Sequence, residues 1–212
     1  MTALRILLAF AAVLVAAPAR AHPHIWVTMH SELVYAPDGS VTGIRQHWAF
    51  DDMFSAFAVQ GLEAKDTGAF SRAELAPLAK TNVESLKEYD YFTFATADGN
   101  KAPFGDPLPD YFADYKDSVV TLHFTLPFKT PVKAKLLKID IYDATIFVDF
   151  SFAKDKPVAL VGAPGACKLD VVPPREMTWA EGKALSDIPA DQPNTLMAWG
   201  AQFANKILVN CP

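Results

Sequence analysis

The sequence predicts an α+β domain: a mostly antiparallel β-sheet with a helix-loop-helix insertion and a C-terminal helix. Three observations predict it. Alternating apolar and polar runs flank an Asp38-Gly39 turn, the mark of a β-hairpin. Between 51 and 87 the apolar residues recur at helical spacing instead. Later runs rich in β-branched and aromatic residues read as strands, followed by a helical tail. No repeat, low-complexity tract or linker interrupts the chain, so 22–212 reads as one domain.

Residues 1–21 read as a secretory signal peptide. Met1 to Arg5 supplies a positive start, Ile6 to Ala17 an apolar middle, and Ala19-Arg20-Ala21 the small-residue end. The apolar run is shorter than the about 20 residues that span a bilayer. Cleavage after Ala21 predicts a periplasmic or secreted protein that begins His22-Pro23-His24. The formal net charge is −5, and loss of Arg5 and Arg20 makes it more acidic. Such a balance argues against nucleic acid and anionic lipid surfaces and favours cationic ligands. No glycine-rich phosphate loop or nucleophile-and-base arrangement is visible, so neither nucleotide binding nor hydrolase chemistry is expected.

The hairpin comes next, with two extended runs from His24 to Phe50 around Pro37-Asp38-Gly39-Ser40. A two-residue or a four-residue loop gives one register. It sets Val27 opposite Phe50, Met29 opposite Trp48, His30 opposite His47, Glu32 opposite Arg45 and Leu33 opposite Ile44. Side chains alternate along a strand. One face therefore carries Ile25, Val27, Met29, Leu33, Tyr35, Ile44, Trp48 and Phe50, a core face. The other carries His24, Trp26, Thr28, His30, Glu32, Arg45 and His47, a polar face with a matched ion pair. A slip of one residue would scramble both.

The insertion at 51–88 reads as helix, loop, helix. Phe50, Phe54, Phe57, Ala58 and Leu62 share one helical spacing, and Leu75, Leu78, Val83 and Leu86 another. The loop from Glu63 to Glu74 resembles a degenerate EF-hand, with Gly68 at position six and Glu74 at twelve. Glu63 replaces the usual first Asp, Lys65 cannot bind a cation, and position five is Thr67. Calcium binding is not expected, and Ser71-x-x-Glu74 reads as a capping box that opens the second helix.

Strands follow at Tyr91–Thr96, Val119–Phe128, Leu136–Tyr142 and Thr145–Phe152. Val158–Val161 and Lys168–Val172 read as a last, Gly/Pro-broken pair. Thr178-x-x-Glu181 is a second capping box. Leu196, Trp199, Phe203 and Ile207 make an apolar helical stripe for the tail. Cys167 and Cys211, in an exported protein, predict a disulfide.

The histidines form two candidate clusters, because His24 and His30 lie about 20 Å apart along a strand. At the predicted N-terminus, the free amine, His22 and His24 offer ligands for a divalent transition ion: nickel, cobalt, zinc or copper. Asp51, diagonal to His24, is a third donor. Pro23 has no amide hydrogen, which excludes coordination through backbone nitrogens and leaves the side chains. The alternative is a pair of polar residues on a frayed terminus. His30 and His47 read first as a polar pair on a sheet face and second as a metal pair, with Cβ atoms about 5 Å apart. His123 reads as a core or sheet-face residue. Asp143 and Asp149 are candidates to approach this face across the sheet, although Asp143 reads better as the start of a turn at Asp143-Ala144.

The stretches "HPHIWV", "WAFDDMFSAFAVQGLEAKDTGAFSRAEL", "NVESLKEYDYFTF", "LHFTLPF", "IYDATIFVDFSF" and "GAPGAC" together resemble domain-of-unknown-function family 1007. His22, Pro23, His24 and Trp26 match its opening motif, and Tyr142, Asp143, Asp149 and Phe150 its later one. Relatives carry a fuller acidic loop where this chain has Glu63, Lys65 and Thr67. The resemblance implies a periplasmic component of a transport system, beside a nickel/cobalt-type membrane permease. Three functions follow as expectations. The first is a transition-metal-binding accessory protein, with no enzymatic activity, that captures its ion at the His-Pro-His terminus. The second is a non-catalytic assembly subunit of a membrane transporter. The third is an oxidoreductase with a copper histidine brace built on His22.

Overall fold

A computed structural model of the chain describes residues 25–62, 64, 69–189 and 192–212. The expected leader 1–21, His22 and His24 lie outside the described residues, as do Glu63, Lys65, Thr67 and Gly68 of the calcium-type loop.

The hairpin organises the first sheet. β1 (Ile25–Tyr35) pairs antiparallel with β2 (Val41–Phe50), and the predicted register holds from Val27↔Phe50 through Val34↔Gly43. A shift at Val34/Tyr35 then sets Tyr35 opposite Val41. The connection runs from Ala36 to Ser40, and Gly39 takes the left-handed conformation at φ 81°. Both faces sort as expected, with Val27, Met29, Leu33, Ile44 and Trp48 almost fully buried. The core face also holds a polar pair: Ser31 Oγ donates to Gln46 Oε1 at 2.6 Å, while Gln46 Nε2 is buried without a hydrogen-bond partner.

The insertion is shorter in helix than its apolar spacing predicts. α1 (Asp52–Ala58) is a two-turn helix capped by Asp51, and Phe57 on it is 72% exposed rather than packed. α2 (Arg72–Leu86) starts at the predicted capping box, with Ser71 and Glu74 satisfying each other's backbone amides. It buries Leu75, Ala79 and Val83. The chain then passes through a 3-10 segment, Lys87–Phe92, into β3 (Thr93–Ala97) and β4 (Asn100–Lys101). Tyr91 and Phe92, predicted as strand, end that segment with left-handed backbone instead.

The remaining strands are β5 (Phe112–Lys116), β6 (Val119–Val132), β7 (Leu136–Ile141), β8 (Val148–Phe152), β9 (Val158–Val161) and β10 (Lys168–Val172). The tail carries α3 (Trp179–Ser186), α4 (Pro193–Gly200) and β11 (Asn205–Asn210). Two sheets result. The first has the order β5-β6-β2-β1-β8, with β9 also on β1; the second is β10-β11-β7-β3-β4. Pairing is antiparallel except that β8 and β9 both run parallel to β1. The fold is α+β, with one core of buried residues contributed by both sheets.

Two expectations fail here. β9 and β10 do not pair with each other; they join different sheets. Ile207 is not on a helix. The tail helix stops at Gly200, where a Cβ would sit 2.8 Å from Ala144 Cα, and β11 inserts between β10 and β7. Alternate residues Asn205, Ile207 and Val209 are buried, the period-2 pattern of a strand. Asn205 Nδ2 donates to Phe150 O at 2.7 Å, which ties the second sheet to the first. The predicted disulfide joins Cys167 to Cys211.

Candidate metal centre

The outer face of the first sheet carries a row of rings across neighbouring strands. His30 on β1 pairs with His47 on β2, His47 with His123 on β6, and His123 with Phe112 on β5. His123 had no predicted partner. Its apolar neighbours Leu122 and Phe124 point to the core, so alternation places it outward; which strand it would lie beside was not legible from local pattern.

His47 Nδ1 and His123 Nδ1 approach to 2.6 Å, with ring centroids 4.8 Å apart in an edge-to-face arrangement. Two neutral imidazoles can share such a contact only if one Nδ1 carries a proton. On its far side His123 Nε2 lies 3.2 Å from Asp114 Oδ2, a polar contact off the line of a well-formed N–H hydrogen bond. Arg72 Nε binds the other oxygen of Asp114 at 3.2 Å. The Arg72 guanidinium also lies 3.6 Å over the Phe112 ring, and Phe112 stacks on His123 with centroids 4.4 Å apart. A carboxylate behind an imidazole is the arrangement that selects a tautomer and orients the ring in metal sites. With the proton on Nε2, the His123 Nδ1 lone pair faces His47.

Burial holds both imidazoles below the usual histidine pKa. For His47, desolvation acts first, and Arg45 and His30 add to it against the pull of Glu32. For His123 desolvation again leads, reinforced by His47 and opposed by Asp114. The neutral ring that results is the form that binds metal. An ion about 2.0–2.1 Å from each nitrogen in tetrahedral geometry requires them about 3.3 Å apart, so the pair would open to admit one. His30, exposed one strand away, is the third imidazole of the row. Among the described residues no three His, Cys, Asp or Glu side chains already stand together at metal-binding spacing, so His30 would have to turn in. The predicted ion pair is present beside the row, from Arg45 Nη1 to Glu32 Oε2.

Other predicted site residues are placed as follows. Asp51 accepts from Trp26 N through Oδ2 and from Phe54 N through Oδ1, each at 2.9 Å, so both oxygens already serve backbone amides. Glu74 serves the α2 cap. Asp143 accepts from Thr145, Phe147 and Val148 amides and organises the predicted turn. Asp149 stands opposite Trp26, away from the imidazole row, with its pKa raised by burial.

Residues 7–211 fit a family described as a protein of unknown function, DUF1007. The chain belongs to the DUF1007 family. Among proteins with curated descriptions, the DUF1007 chain is 36% identical over 94 residues to "Uncharacterized 15.5 kDa protein in trpE 3'region" of Spirochaeta aurantia. That match takes in 44% of this chain and 66% of the relative, a little under two thirds of its length.

Proposed function

We propose that the protein is a periplasmic or secreted transition-metal-binding accessory of a membrane transport system. It holds one divalent ion, nickel, cobalt, zinc or copper, between His47 and His123 with His30 closing over it. The observation that supports this most is the convergence of two neutral Nδ1 atoms at 2.6 Å with a carboxylate behind one of them. Imidazole ligands suit these ions, and the Asp114–His123 contact supplies an orienting partner. The transport setting, and a membrane permease as partner, rest on the family resemblance. The His22/His24 terminus is a second place for capture in the same reading.

Calorimetric titration of the purified protein with each ion tests it. His47→Gln and His123→Gln should each weaken binding at least tenfold, whereas one extra residue before His22 should abolish binding only if the terminus is the site. No binding of any of the four ions refutes the reading.

One observation favours an assembly subunit instead. Trp26 is 44% exposed and Met53 and Phe57 are each 72% exposed, and Asp51 ties the start of α1 to Trp26. This apolar end suits contact with another protein. Retained permease association in a His47→Gln, His123→Gln double variant, lost in Trp26→Ser, Phe57→Ser, would favour it.

A further inference from the structure

We propose that the cavity between the core face of the first sheet, α1 and α2 is a binding site for a lipophilic small molecule carrying one hydrogen-bond acceptor. The cavity measures about 400 Å³, within the range of small-molecule sites. Its floor is Val27, Trp48, Leu122 and Phe150 of the first sheet, and Phe54 and Leu86 come from the two helices. It lies on the opposite side of the sheet from the imidazole row, because floor and row residues alternate along β1, β2 and β6.

Three polar groups in its wall are already engaged. Asn82 Nδ2 donates to Leu78 O, Ser85 Oγ donates to Asn82 O, and the Asp143 carboxylate accepts from its own loop. Nothing there calls for a charged or strongly polar ligand. One group is different. Trp48 is 1% exposed, and its indole Nε1–H is buried without a hydrogen-bond partner. Because that N–H has less than 1 Å² of accessible surface, a guest's single acceptor oxygen completes it by wedging in beside the indole, since a buried tryptophan normally finds an acceptor. The mouth adds a second observation. Asp90, Tyr91 and Phe92 lie at φ 50°, 53° and 50°, and Ile146 at φ 56°. Left-handed backbone is strained for such residues, most of all for a β-branched one, and strain of this kind concentrates at ligand clamps. Tyr89 and Phe147, beside these segments, line the cavity and are 52% and 44% exposed. Aromatic side chains at an open mouth, above an apolar floor, suit a medium-chain acyl or aromatic carbonyl compound.

Titration with 2-decanone, a neutral chain with one carbonyl acceptor, and with naphthalene, followed by tryptophan fluorescence and native mass spectrometry, tests the site. Saturable one-to-one binding of 2-decanone is expected. Trp48→Phe should weaken the ketone about fivefold through loss of the N–H while naphthalene, which has no acceptor, still binds. Ser85→Trp, at an exposed wall position, should weaken both at least tenfold with the metal titration unchanged. No saturable uptake of dissolved 2-decanone, including association with phospholipid vesicles alone, overturns the proposal. So does wild-type affinity in Ser85→Trp.

Discussion

Replacement of Asp143 by alanine should unfold the loop that joins β7 to β8 and lower stability by about 3 kcal/mol. The side chain belongs to a residue only 6% exposed. Its Oδ1 accepts from Thr145 N at 2.8 Å, and its Oδ2 accepts from Phe147 N at 3.1 Å and Val148 N at 3.0 Å. The Thr145 hydroxyl donates to the same carboxylate at 2.8 Å. An unsatisfied buried donor costs about 1–3 kcal/mol. Thr145 and Phe147 are themselves exposed, so water can replace part of each loss and the low end applies to each of the three amides. For a chain of this size that corresponds to a fall in Tm of about 6–12 °C. Asp143→Asn keeps the shape but turns an NH2 toward amide donors on one side, and should cost at least about 2 kcal/mol. Urea denaturation followed by circular dichroism measures both, and hydrogen exchange at Phe147 and Val148 locates the change. A loss below about 1 kcal/mol with an unchanged denaturant slope would refute the reasoning, since the loop would then be held by something other than this carboxylate.

Three further outcomes are expected. Reduction of Cys167–Cys211, which closes 44 residues of chain, should cost about 4 kcal/mol on the chain-entropy account; an unchanged denaturation midpoint in reductant would contradict it. Gly43→Ala would place a Cβ 2.4 Å from Leu126 O and 2.9 Å from Pro127 Cα, backbone that cannot yield without opening the β2–β6 ladder. It should cost about 3 kcal/mol, and a variant as stable as the parent would show that the strands separate freely. Because His47 and His123 have lowered pKa values, the unfolded chain binds more protons than the folded one just below its ordinary histidine pKa of about 6.5. Their contribution to stability is therefore present above that pH and lost as pH falls through the folded values. Metal affinity should fall in the same direction, and a His47→Gln, His123→Gln double variant should flatten the acid limb of the stability curve.

The sequence by itself determined what depends on near neighbours along the chain. The Asp38-Gly39 turn and strict alternation in Ile25–Tyr35 and Val41–Phe50 were enough for the hairpin register, and hence for the Glu32–Arg45 and His30–His47 pairings. Ser71/Glu74 and Thr178/Glu181 announced two helix starts, because a capping box closes within four residues. The tertiary structure decided everything that needed a distant partner. A short apolar stripe from Leu196 to Ile207 fits a helix on its own, yet the free edge between β7 and β10 draws its second half into β11. The parallel pairing of β8 and β9 on β1 carries no local signal at all. The same holds for the candidate centre: His47 and His123 are 76 residues apart, and Asp114, itself held by Arg72 from α2, reaches His123 from β5. Turns and caps are written in short-range geometry, whereas strand order is set by which apolar faces bury each other, and only the folded core settles that.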